Sequence, residues 1–162
     1  MAAPPKLSIK RVYEPPSPAD GARILVDRLW PRGLKKEDAR LDAWLAQLAP
    51  SDELRRWFGH EPSRFAEFRR RYLRELARPE RRDLFADLVR RAAGEHVTLV
   101  YAAKDTLHNN AVVLAGAIAR AAAQPRRSAA RPRAGRGGRS PSPAAPRPVG
   151  TGATARRPRL RA

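Results

Sequence analysis

The chain has 162 residues, contains no cysteine and carries a formal net charge of +18, with 34 Lys+Arg against 16 Asp+Glu. That length accommodates one domain, and the missing thiols exclude disulfides, zinc–thiolate sites and cysteine nucleophiles. The first ten residues, MAAPPKLSIK, lack the apolar run of a signal peptide, and no stretch approaches the ~20 apolar residues of a membrane span, so a cytoplasmic protein without a membrane partner is expected.

Leu7 to Tyr13 reads as a short strand ended by Glu14-Pro15-Pro16, and Ile24-Leu25-Val26 has the continuous apolar character of a strand buried on both faces. Pro31-Arg32-Gly33 turns the chain. Leu41, Trp44, Leu45 and Leu48 then fall at i, i+3, i+4 and i+7, the stripe of an amphipathic helix. After Pro50, Ser51 is a good N-cap for a second helix with Asp52 and Glu53 against its dipole, carrying Leu54, Trp57 and Phe58 and ending near Gly59. A longer helix is expected from Pro62 to Ala77, with Phe65, Phe68, Tyr72 and Leu76 inward, and another from Pro79 to Ala93 with Gly94 as its C-cap. Val97 to Ala103 is the clearest strand, leading through Lys104-Asp105 and His108-Asn109-Asn110 into a last helix from Ala111 to about Ala122. The order β, β, several helices, β, α predicts an α/β fold: a small, mostly parallel sheet flanked by helices on both faces.

The remaining segment is different in kind. From Ala121 onward there are eleven arginines, no acid and no aromatic residue, and only Val149 and Leu160 as large aliphatics. Such a stretch cannot bury enough apolar surface to offset roughly 1–2 kcal/mol of backbone entropy per residue. The expected organisation is an α/β domain over residues 1–124 and a disordered Arg/Pro/Ala-rich tail over residues 125–162. Arginine outnumbers lysine 29 to 5, and the tail is built from residues with GC-rich codons. A frame-shifted or unselected extension and a selected nucleic-acid-binding arm both fit that composition.

The segments KRVY (10–13), DGARILVDRLWPRGLKKE (20–37), LDAWL (41–45), APSDELRRWFGH (49–60), FRRRYLREL (68–76) and TLVYAAKDTLHNNAVVL (98–114) resemble the YeaO-like branch of domain-of-unknown-function family 488. The resemblance runs in unbroken order over about residues 7–120, and DRLWPRG with SDELRRWF is its most specific part. It implies a compact bacterial α/β domain and no established activity. The broader family carries a C-x-E…C-H-R-like pattern around its last strand, where this chain reads YAAKD…HNN, so thiol chemistry is not implied here.

Ligands of parallel α/β sheets sit beyond the carboxyl ends of the strands, often at a helix N-terminus. Two such ends are rich in polar groups. One carries Asp27, Arg28 and Arg32 beside Trp30; the other carries Lys104, Asp105, His108, Asn109 and Asn110. Were the strands neighbours, Arg28, Arg32, Lys104, Asn109 and Asn110 would form one site for a small anionic or phosphorylated ligand, Arg offering bidentate hydrogen bonds. Asp27 would orient Arg28 or act as a general base, and Asp27, Glu75 and His108 are the candidates for proton transfer. The structural alternative is an internal Asp27–Arg28 salt bridge fixing a loop, with the asparagines capping the last helix. Trp30, Trp44, Trp57 and Phe58 read as core, His60 as a surface or cap residue, His96 as structural or exposed, and Tyr72 as closing the core.

The three histidines have no metal-ligand spacing, and P-loop, G-x-S-x-G and G-x-G-x-x-G motifs are absent, so neither a metal nor a cofactor is expected. The run Arg69, Arg70, Arg71, Arg74, Arg78, Arg81 and Arg82 reads as a solvated face partly paired with Glu67, Glu75 and Asp83. The second functional reading is a non-catalytic nucleic-acid-associated or regulatory protein using this basic helix and the tail, whose contacts would be non-specific and salt-dependent.

Overall fold

The computed structural model describes residues 3–124; the expected tail, 125–162, lies outside the described residues. Four strands form one sheet in the order β1-β4-β2-β3 and every pairing is parallel: β1 is Leu7–Arg11, β2 Ala22–Leu25, β3 Ala43–Trp44 and β4 Val97–Tyr101. β4 pairs with β1 from Leu7↔Val97 to Arg11↔Tyr101 and with β2 from Ala22↔Val97 to Leu25↔Val100. All five residues of β4 and all four of β2 are buried, as their near-continuous apolar runs require of central strands.

Side chains alternate across this sheet. Ile24, Val97 and Leu99 face a layer of four helices: α2 (Asp52–Phe58), α3 (Phe65–Leu76), α4 (Pro79–Gly94) and α5 (Asn110–Ala123). Each supplies buried apolar residues: Leu54, Phe58, Phe68 and Tyr72, as their spacing predicted, together with Leu88 and Ala92 of α4 and Leu114 and Ile118 of α5. Leu25, Val100 and Val12 face the other way, under Trp30, Leu34 and Leu41 of the chain around the one-turn helix α1 (Lys36–Ala39). The parallel α/β expectation is borne out, with the two faces covered unequally.

One element differs. The Leu41–Leu48 stripe is not a helix but β3 followed by a 3-10 turn at Ala46–Leu48. The amides of Asp42 and Leu45 donate to the carbonyls of Arg23 and Leu25 at 2.8 and 2.9 Å, so its first half completes the edge of β2, and only the 3-10 turn bonds to itself. Its apolar residues divide between both sheet faces: Leu41 packs with Leu25, Leu45 and Leu48 with the helices, and Trp44 is 45% exposed rather than core. Gly94 is also the last residue of α4, with Glu95 as the C-cap.

Two local devices fix the strand entries and exits. Gly21 has φ +62°, and a Cβ there would lie 2.2 Å from the His96 carbonyl oxygen, which accepts the Ala22 amide at 2.9 Å. Ser51 caps α2 by accepting from the Leu54 amide at 3.2 Å, and its own amide and hydroxyl donate to Glu75 at 2.9 and 2.5 Å. Among the described residues no helix is long and apolar enough to cross a membrane.

Candidate functional site

Because β2 and β4 are parallel neighbours, their carboxyl ends open on the same edge of the sheet. A cleft of about 610 Å³ lies there, within the size range of small-molecule sites. Three stretches of chain build it: the exit of β2 (Asp27 to Arg32), the segment around α2 (Pro50, Arg55, Phe58, His60), and the exit of β4 up to the start of α5 (Ala102 to Asp105, Asn109, Asn110). Tyr13 and Phe68 complete the wall.

Asp27 is the anchor of the site. Its Oδ2 accepts the Ala102 amide at 2.8 Å and its Oδ1 the Asn110 side-chain amide at 3.2 Å, while Asn110 also donates to the Val26 carbonyl at 2.8 Å. The Trp44 indole donates to the Asp27 carbonyl at 2.7 Å. Burial pushes the Asp27 carboxyl above its ordinary value, against the opposing pull of the Ala102 amide, the Asn110 amide and the charge of His60. Asp27 joins no ion pair among the described residues. The internal Asp27–Arg28 bridge considered from sequence does not form; Arg28 instead reaches Asp52 at 3.3 Å.

The cations differ in how they are occupied. Asp52 binds both Arg28 and Arg55, the latter at 3.4 Å. Arg55 Nε is buried without a hydrogen-bond partner among the described residues. Arg32 and Lys104 are exposed, and neither meets a carboxylate among the described residues. Arg32 is positioned through its backbone, whose carbonyl accepts the Tyr13 hydroxyl at 2.9 Å. At the start of α5, Asn109 is a full N-cap: its Oδ1 accepts from the Val112 amide at 3.0 Å and its Nδ2 donates to the Asp105 carbonyl at 2.9 Å. Its side chain is committed to the fold even though it borders the cleft.

Of the eight candidates, the structure brings Asp27, Arg28, Arg32, Lys104, Asn109 and Asn110 to one cleft and leaves Glu75 and His108 outside its lining. Glu75 is 7% exposed, occupied by Ser51 and by Arg81 at 3.3 Å, and so braces α2 and α4 instead of meeting a substrate. His108 Nδ1 lies 2.9 Å from Asp105 Oδ2, and its ring meets Phe65 edge-on at 5.1 Å. Asp105 also accepts the Leu107 and His108 amides; these bonds, the Leu107 amide foremost, hold its carboxyl below the ordinary value. Tyr72 is core, donating to the Leu48 carbonyl at 2.5 Å, and burial raises its hydroxyl well above the ordinary range.

Sequence reasoning missed Tyr13, Arg55 and His60. His60 follows Gly59, and both have positive φ, +58° and +53°. That consecutive left-handed pair turns the chain after α2 and brings His60 to the cleft; the GH pair after a helix was its only signal. The basic face of α3 is partly neutralised as expected: Glu67 holds Arg70 at 2.5 Å and Arg71 at 3.0 Å. Arg71 and Arg64 also stack over Trp57, at 4.2 and 5.5 Å from the ring centroid. Among the described residues no cluster of His, Asp and Glu could hold a metal ion.

A parallel α/β domain with a cleft of mixed apolar and charged lining at its strand ends, and with no cysteine, has no means for thiol catalysis. The chain belongs to domain-of-unknown-function family 488: residues 6–135 match the group described as "Inactive DUF488-N3 subclade". It is similar to "Uncharacterized protein YeaO" of Escherichia coli (strain K12), 48% identical over 110 residues that make up 67% of this chain and 93% of that protein. Uncharacterized proteins of Mycobacterium bovis and Mycobacterium tuberculosis are each 41% identical over 115 residues, 71% of this chain and 95% of theirs. The YeaO-like resemblance is thereby borne out. No solved structure matches the chain.

Proposed function

We propose that the domain binds a small phosphate- or carboxylate-bearing ligand in the cleft and does so without covalent turnover. The observation that carries this reading is the pair Arg32 and Lys104. Both border the cleft, on opposite strand exits, and neither is neutralised by a carboxylate among the described residues. Arg55, with its unsatisfied Nε, and Arg28 stand beside them, both shared with the single carboxylate of Asp52. Guanidinium groups and an ammonium converging on a partly enclosed space bind oxyanions through charge-assisted hydrogen bonds. The apolar part of the wall, Trp30, Pro31, Phe58 and Phe68, suits a ligand with a carbon body. The word "inactive" in the family's description accords with the absence of turnover in this reading.

Calorimetric titration of the whole chain with inorganic phosphate and phenyl phosphate tests the reading. Arg32→Ala and Lys104→Ala should each weaken binding by roughly tenfold, the loss of one charge-assisted hydrogen bond. Because the other arginines of the chain are unchanged in both variants, affinity that survives intact would place the anion elsewhere and overturn the proposal.

A further inference from the structure

The cleft contains charges of both signs that do not neutralise one another. Arg32 and Lys104 meet no carboxylate among the described residues, and Asp27 joins no ion pair there, the pull of His60 falling short of offsetting its burial. The other two acids nearby are spent: Asp52 on Arg28 and Arg55, and Asp105 on the turn before α5 and on His108. The two hydrogen bonds to Asp27 take one acceptor position on each oxygen, Oδ2 from Ala102 and Oδ1 from Asn110. A carboxylate has about four such positions, so each oxygen can accept once more.

A partly buried carboxylate without an ion-pair partner destabilises the protein that carries it. Its raised pKa expresses that cost. A ligand bearing only a phosphate would add a second negative charge beside Asp27. A ligand with a cationic N–H donor at its other end would supply a direct ion-pair partner and fill the free acceptor positions.

We propose that the cleft recognises an ampholyte: an oxyanion held by Arg32 and Lys104, and a protonated amine held by Asp27, joined by an apolar body against Trp30 and Phe58. This rests on the anion-binding reading above and adds a second point of recognition at the opposite charge. Asp27 is a binding residue here, and its bonds to Ala102 and Asn110 aim the carboxylate as well as joining the strands.

Matched ligands separate the two readings. Tyramine phosphate and 4-ethylphenyl phosphate share ring and phosphate and differ in the ammonium; phosphoethanolamine and ethyl phosphate repeat the comparison without the ring. Titrated into the whole wild-type chain, tyramine phosphate should bind about tenfold tighter than 4-ethylphenyl phosphate, the value of one charge-assisted bond. It should also exceed phosphoethanolamine, because the ring uses the aromatic wall. In Asp27→Asn the amine should give no advantage, while 4-ethylphenyl phosphate binds at least as tightly as before.

Equal affinity within both matched pairs in the wild-type chain would overturn the ampholyte proposal and leave anion binding standing. A preference for the amine that persists in folded Asp27→Asn would overturn the assignment to Asp27. Binding of none of the four would overturn both readings. The wild-type comparison requires no variant, so a poorly folding Asp27→Asn protein would not spare the proposal.

Discussion

The carboxylate of Asp27 accepts the backbone amide of Ala102 at 2.8 Å, one residue past the end of β4. The bond continues the β2–β4 pairing with a side chain where the backbone ladder stops, since Val26 donates to the Val100 carbonyl at 3.1 Å just before it. Its acceptor is a partly buried group whose pKa is raised chiefly by burial. The folded chain therefore retains the Asp27 proton at pH values where the unfolded chain has lost it. The contribution of this group to stability is greatest at or below about 3.8 and falls as pH rises through the folded-state pKa. Urea unfolding of wild type and Asp27→Asn across the acid range should show the wild type losing ground relative to the variant as pH rises. A constant difference between them would show that Asp27 does not titrate abnormally.

Glu75 gives the complementary case of a buried acid that is fully engaged. It accepts both the amide and hydroxyl of Ser51 and pairs with Arg81, whose side chain is 12% exposed. Glu75→Ala would leave that guanidinium without its carboxylate and the Ser51 amide without its acceptor, at a cost of about 3 kcal/mol. The loss should appear in the denaturant midpoint with little change in phosphate affinity, because Glu75 does not border the cleft.

Gly21→Ala should be among the most damaging of small substitutions. A methyl group 2.2 Å from the His96 carbonyl oxygen, at φ +62°, demands that β2 and β4 move apart at their shared entry. Strain of this kind typically costs about 1–3 kcal/mol before any clash is counted. Thermal unfolding should register a drop of at least several degrees for a domain of this size. An unchanged melting temperature would mean that the turn relaxes freely.

The domain boundary proposed from sequence is testable in the same way. The last fully buried side chain of α5 among the described residues is Ile118, and the core residues packed in its cluster all belong to residues 3–124. A chain ending at Gln124 should keep a single cooperative transition by calorimetry, with a melting temperature close to that of the full chain. Loss of that transition would show that later residues complete the core.

The strands β2 and β4 and the helices α2 to α5 were legible because each has one unambiguous burial pattern, a continuous apolar run or a 3.6-residue stripe. Adjacent strand ends then followed from the rule for parallel sheets, and the cleft location with them. The failure at Leu41–Leu48 has a specific cause. Its spacing fits a helix by count, yet the segment's hydrogen bonds go to Arg23 and Leu25, twenty residues away in the case of Leu45. An edge strand of two residues is defined by its partner and leaves almost no period of its own. The Asp27–Arg28 pairing expected from their adjacency does not form: both lie past the end of β2, where the chain bends, and Arg28 reaches Asp52 of α2 instead. Arg55 could not be seen at all, and His60 only through the Gly-His pair that follows α2, since only tertiary packing carries α2 to the strand ends.

The cleft draws on residues 27–32, 50–60 and 102–110, stretches that any cut between Arg32 and Ala102 divides between two fragments and that meet only when the whole sheet closes. A backbone nick between β2 and β4 would leave each half holding an incomplete set of charges, Asp27 and Arg32 on one and Lys104 and Asn110 on the other. A ligand spanning them would then act as a glue between halves. Its ability to bring two separately expressed pieces together would make the domain a natural split reporter, with reassembly rather than affinity as the signal.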